Sequence, residues 1–159
     1  MIEQFPAINT LIPVFTLPAA TGNAISTWQY KQRNSLVLLF YRGDRPEAMT
    51  YLRALAEHYP ALRAEDAEVL AISPEPVAAL HERQIRWQLP FPLLADPDGA
   101  VIPRFTCWDA VRHELRPALY ITDRFGALYA RYDADHEGEL PTPEDIRAEL
   151  EFIAIQCPE

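Results

Sequence analysis

SLVLLFYRGDRPEAMTYLRALAEHY, residues 35–59, reads as a buried strand running directly into an amphipathic helix. Leu36, Val37, Leu38, Leu39, Phe40 and Tyr41 form an unbroken apolar run, the pattern of a central strand covered on both faces. Tyr51, Leu52, Leu55, Ala56 and Tyr59 then recur at intervals of three and four, which builds one apolar stripe along a helix. The turn between them, from Arg42 through Gly43, Asp44, Arg45, Pro46 and Glu47 to Ala48, is where chemistry would sit, because the free N–H groups of a helix N-terminus stabilise an anion or a thiolate. No cysteine and no histidine lies in that turn.

Upstream, residues 1–34 are loop-rich, with Pro13, Pro18 and Gly22 punctuating IPVFTL and AIST, each long enough for a short edge strand of an N-terminal hairpin. Downstream, EVLAIS at 68–73 reads as a strand, Pro74 and Pro76 as a crossover, and VAALHERQIRW at 77–87 as a helix. Residues 90–105 read as loop with a brief apolar piece, and DPDG carries turn chemistry. ALYIT at 118–122 and ALYARY at 127–132 flank Asp123, Arg124, Phe125 and Gly126, the pattern of an antiparallel hairpin. Thr142 as N-cap, Pro143, Glu144 and Asp145 open a last helix whose apolar face carries Ile146, Leu150, Ile153 and Ala154. The order predicts an α/β fold, a mixed central sheet with helices on both faces, as a single domain over 1–159.

Composition narrows the function classes. Hydrophobic residues at 49% and charged residues at 23% are ordinary for a globular chain. A net charge of -9 opposes binding to nucleic acid or to an anionic membrane surface. No apolar run approaches the roughly 18 residues of a membrane span, and the start has neither basic nor apolar secretory regions, so a cytoplasmic location is expected. Two cysteines, Cys107 and Cys157, make neither a disulfide framework nor a CxxC pair.

The element order and four strings, IPVFTLPAATGNAIS, LVLLFYRGD, LPFPLLADPDGAV and RPALYITDRFGALYARY, resemble the peroxiredoxin branch of the thioredoxin fold, the alkyl hydroperoxide reductase and thiol-specific antioxidant family, over nearly the whole chain. The resemblance implies a thioredoxin-like fold and an antioxidant oxidoreductase ancestry in which a thiolate attacks a peroxide. In close relatives FYRGD is followed by a tryptophan, a cysteine, a proline, one further residue and often a second cysteine. Counting back from Leu52, those cysteine positions fall on Arg45 and Ala48, with Pro46 keeping the proline. Neither a guanidinium nor a methyl group attacks an O–O bond, and Thr50 has no adjacent base. The resemblance therefore implies a redoxin-family protein without its peroxidatic cysteine, working as a binding or partner module with no cofactor. The alternative is a thiol peroxidase or disulfide oxidoreductase acting through Cys107.

What remains of the pocket, Arg42, Asp44, Arg45 and Arg116, would surround the helix N-terminus and take a small anion. Alternatively, Asp44 caps the helix and the arginines are solvated or pair with carboxylates. Arg116 lies close to where the family places an arginine that polarises peroxide, and Pro117 resembles the cis-proline facing the active site, a trans loop proline being the alternative. Cys107, beside Trp108, is either a relocated reactive thiol or an inert hydrophobe. Cys157 resembles a C-terminal resolving cysteine, and a Cys107 to Cys157 disulfide is disfavoured in a cytoplasmic setting. Asp133, Asp135, Glu137 and Glu144 nearly spell a calcium loop, weighed against an acidic solvated connection; otherwise no metal site is expected. Trp28, Tyr30 and Trp108 are candidates for a homodimer interface or for core.

Overall fold

The computed structural model describes residues 6–43, 45–106, 108, 109, 111 and 114–156; for 108 and 109 this extends to the backbone only. A hairpin of β1 (Thr16–Pro18) and β2 (Ala24–Ser26) leads to β3 (Ser35–Phe40), α1 (Pro46–Ala64), β4 (Ala67–Ser73), α2 (Val77–Trp87) and β5 (Leu93–Ala95). A two-residue pair, β6 (Trp108–Asp109) and β7 (Glu114–Leu115), precedes β8 (Ala118–Thr122), β9 (Leu128–Asp133) and α3 (Pro143–Gln156). The central sheet has the order β5-β4-β3-β8-β9, with β3, β4 and β5 parallel and β8 antiparallel to both neighbours.

All six residues of β3 are buried, as its apolar run requires for the middle of a two-sided sheet. Val37, Leu39 and Tyr41 face a core completed by Leu52 and Leu55 of α1, Leu80 of α2 and Ile146 and Leu150 of α3. Leu36, Leu38 and Phe40 point the other way, into a core closed by the hairpin residues Leu17 and Ile25, by Ile102 of a 3-10 turn, and by Phe105 and Tyr120. The three α-helices thus share one face, where α-helices on both were expected, and the hairpin and 3-10 turns cover the other. At roughly 1.5–3 kcal/mol for each fully buried large apolar side chain, burial of Leu36 to Phe40 is a large stabilising contribution.

Four local expectations need correction. Leu93–Ala95 is a strand, not loop: it pairs with β4 through Ala71, Ile72 and Ser73 and extends the parallel sheet. The helix starts at Pro46, so Ala48 lies inside its first turn and the connecting turn is shorter than the sequence implied. Ala154 is exposed, because the buried stripe of α3 is carried by Ile146, Leu150 and Ile153. Pro117 is trans, as are all the described peptide bonds. Among the described residues, no helix is long and apolar enough to cross a membrane.

α1 and α3 are joined by an ion pair, His58 Nε2 to Glu144 Oε1 at 2.8 Å. The Ala54 carbonyl at His58 Nδ1, together with Glu144, raises the histidine pKa, and Glu144 is lowered first by its own backbone N–H and then by His58. The histidine contribution is present below its unfolded pKa and lost as pH rises through the folded one. The carboxylate contribution is present above its unfolded pKa and lost as pH falls through the folded one. His58→Gln is therefore expected to flatten a shallow stability maximum between the carboxylate and histidine titrations. Thermal melts from pH 4 to 8 measure it, and an identical pH profile in the variant would refute it.

Candidate functional site

Tyr41 is still fully buried at the end of β3, and α1 begins five residues later. The capping position is Arg45, in extended backbone with φ -118 and ψ 141, and its side chain makes no capping bond. Asp44, the capping residue expected from sequence, lies outside the described residues. Pro46 suits the first helical turn, where a backbone N–H would be unpaired in any case. Ala48 is completely buried and Thr50 is exposed.

The arginines expected to gather round this N-terminus are all engaged by the chain itself. Arg42 Nη1 donates to Glu114 Oε2 at 2.6 Å. Its backbone N–H donates to Glu137 Oε2 at 2.8 Å. Arg45 Nη1 donates to the Asp135 carbonyl at 2.7 Å. Arg116 Nε donates to Asp133 Oδ2 at 2.9 Å and its Nη1 to Asp135 Oδ1. Asp133 foremost, and Asp135 with it, hold the Arg116 guanidinium more firmly protonated than usual. Residues 133–139 thus run as an acidic strap beside the start of α1, and the strap together with Glu114 supplies the acceptors that an external anion would bring. Glu137, fully buried, keeps its Oε1 without a partner among the described residues.

That geometry dissolves the calcium-loop spacing. Asp133 and Asp135 turn to Arg116, Glu137 to the Arg42 N–H, and Glu144 to His58 on another helix. Among the described residues, no group of three or more His, Cys, Asp or Glu side chains converges to hold a metal ion.

Two polar constructions escaped the sequence reading. Behind the turn, Arg83 of α2 forks onto Glu75, Nη1 to Oε1 and Nη2 to Oε2, both at 2.7 Å. Arg83 also donates from Nη1 to the Tyr41 hydroxyl at 3.0 Å, while Ser73 Oγ donates to Glu75 Oε1 at 2.7 Å. Burial raises the Tyr41 phenol to about 12, against the opposing pull of Arg83, so it stays a neutral acceptor. The one sequence signal for this cluster is Gly43: a Cβ there would overlap Glu75 Oε1 and Arg83 Nη2. The second construction is Asp96 in DPDG. Its Oδ1 accepts from Ala100 N–H at 2.9 Å, and its Oδ2 from Val101 at 2.9 Å and Ile102 at 2.7 Å.

Cys107, Cys157 and the side chain of Trp108 lie outside the described residues. Thr106 Oγ1 donates to the Arg116 carbonyl at 2.6 Å, which ties the segment leading into position 107 to the start of β8. Trp28 and Tyr30 line a cleft where β3 begins, at the end of the sheet away from the α1 N-terminus.

Residues 8–131 match the AhpC/TSA family. A Mycobacterium tuberculosis protein provisionally named a peroxiredoxin is 27% identical over 128 residues, 80% of this chain and 78% of its own length. The chloroplastic peroxiredoxin Q of Oryza sativa subsp. japonica is 30% identical over 89 residues, 56% of this chain and 41% of its own. Two solved structures share the fold. Peroxidoxin BcpB of Mycobacterium tuberculosis has a TM-score of 0.80 at 17% identity, covering 96% of this chain and 99% of its own. AhpC of Enterococcus faecalis has a TM-score of 0.80 at 22% identity, covering 97% and 100%.

Proposed function

The chain belongs to the AhpC/TSA family of peroxiredoxin-like, thioredoxin-fold proteins, and from that premise we propose that it does not reduce peroxide at the ancestral position and works as a partner-binding module. Thiol peroxidase chemistry needs a thiolate that attacks one peroxide oxygen, becoming a sulfenic acid while the other oxygen leaves as water or alcohol. At the start of α1 the positions that the family resemblance assigns to thiols carry Arg45 and Ala48. The observation that carries this reading is that Arg42, Arg45 and Arg116 are each hydrogen-bonded within the chain, Arg42 to Glu114, and Arg45 and Arg116 to the acidic strap through the Asp135 carbonyl and the Asp133 and Asp135 carboxylates. A cation committed in this way is not offered to a departing alkoxide or to a small anion, which favours a protein partner over an anionic ligand. A cytoplasmic setting fits a chain with two distant cysteines.

A second reading is thiol chemistry at Cys107, which needs a thiolate favoured by its surroundings. It is supported by the Thr106 Oγ1 bond to the Arg116 carbonyl, which brings the chain as far as residue 106 beside the start of β8. Stoichiometric consumption of hydrogen peroxide, followed on the wild-type chain and on Cys107→Ser with a thiol donor, separates the two. The proposed reading expects both to match buffer. Turnover in the wild type that vanishes in Cys107→Ser would establish the second reading and overturn the first.

A further inference from the structure

A groove runs between α1 and α2 beside the turn that opens α1. Ala79, Arg83, Arg86 and Trp87 line it from α2, where they recur at helical spacing on one face, and Met49 lines it from α1 with Gly43 alongside. Met49, Ala79 and Trp87 are half-buried, so apolar surface is left open to solvent. Ala79 to Trp87 covers about 12 Å of helix at 1.5 Å per residue, the length of about four residues of extended chain.

Two guanidiniums lie over the Trp87 ring, that of Arg53 on α1 at 5.2 Å from the ring centroid and that of Arg86 at 5.9 Å. Both arginines are exposed, and neither has a carboxylate partner among the described residues. They differ in this from Arg42, Arg83 and Arg116, which acidic side chains of the chain already hold. Glu82, the one carboxylate lining the groove, makes no ion pair with Arg86 one turn on. A guanidinium resting on a ring uses its face, and its in-plane N–H groups remain able to grip a carboxylate through two hydrogen bonds.

We propose that the partner docks in this groove through a short extended segment that carries carboxylates beside an apolar side chain. The carboxylates meet Arg53 and Arg86, and the apolar side chain packs against Met49 and Trp87. The proposal rests on the partner-binding reading and names the surface and the partner chemistry that reading leaves open. Charge complementarity selects this occupant, since two uncommitted cations converge on one aromatic ring at the edge of an apolar groove. A lone small anion would leave Met49 and Ala79 uncovered, and a net charge of -9 opposes nucleic acid.

The probe is a hexapeptide of alternating glutamate and leucine, amidated at its C-terminus and labelled with an uncharged dye, titrated against the full chain by fluorescence anisotropy. The wild type is expected to bind it. Arg53→Glu with Arg86→Glu is expected to weaken binding by more than about tenfold and to take up the lysine and leucine counterpart, which the wild type does not bind. Arg33→Glu with Arg104→Glu makes the same change in net charge at exposed cations outside the groove, and is expected to shift affinity by less than about twofold. Circular dichroism checks that both variants are folded. No binding by the wild type, binding retained in the groove variant, or an equal loss in both variants would overturn the proposal. A wild-type dimer that sediments as monomer only in the groove variant would overturn it in favour of a second copy, and tighter binding of a single-stranded oligonucleotide in favour of nucleic acid. The partner-binding reading itself falls on a different result, peroxide turnover that vanishes in Cys107→Ser, so the two failures are distinguishable.

Discussion

Asp96→Ala is expected to lower the free energy of unfolding by about 4 kcal/mol, since it strands two buried donors, on Val101 and Ile102, and removes the partner of a third on exposed Ala100. Asp96 is 2% exposed, and its two oxygens satisfy the N–H groups of Ala100, Val101 and Ile102 as the chain leaves β5. Val101 and Ile102 are themselves buried, so water cannot take over without opening the core beneath Phe40 and Phe105. The Asp96 N–H also bonds the Ser73 carbonyl, so a failed turn would loosen β5 from β4. Asp96→Asn, which keeps the size but turns an amide N–H towards backbone N–H groups, should cost about half as much. Urea denaturation measures both, and a loss below about 1 kcal/mol for the alanine variant would show that the turn does not depend on this carboxylate.

Gly43→Ala should cost about 3 kcal/mol, a large effect for one methyl group on a surface turn. The reason is space and not backbone conformation, because Gly43 has an ordinary negative φ and its missing Cβ is where Arg83 and Glu75 pass. The new methyl would push the bidentate pair outward, leaving the fully buried Tyr41 hydroxyl without its donor. Removing the pair in advance should relieve the clash, so in an Arg83→Met, Glu75→Gln background the same glycine substitution is expected to cost well under half as much. Equal costs in both backgrounds would place the penalty elsewhere.

Much of the fold was legible because its signals are local. The run from Leu36 to Tyr41 has no amphipathic alternative, and VAALHERQIRW is helical over the same residues, 77–87, that its spacing marks. The β8–β9 hairpin could be read from Gly126, whose φ of +85 is a conformation that favours glycine at the turn. β5 was not legible, because a three-residue strand after Pro92 has too short a pattern and becomes a strand only by bonding to β4. The site divides in the same way. Arg42, Arg45 and Arg116 could be picked out as cations near one helix start, but their partners lie 72, 90 and 17 residues away and no spacing rule reports such pairings. The acidic run from Asp133 was legible as charge and misleading as spacing, since calcium binding needs all its oxygens on one point and these serve three separate partners, Arg116, the Arg42 N–H and His58. The same four carboxylates are better understood as strap and brace.

The most direct measurement is the rate of hydrogen peroxide consumption, with a thiol donor, by the full chain carrying Cys107→Ser and Cys157→Ser together. With no cysteine in the first turns of α1 and the neighbouring arginines held by the strap and by Glu114, the predicted rate is that of buffer alone. Sustained catalytic turnover by this cysteine-free protein would contradict the account.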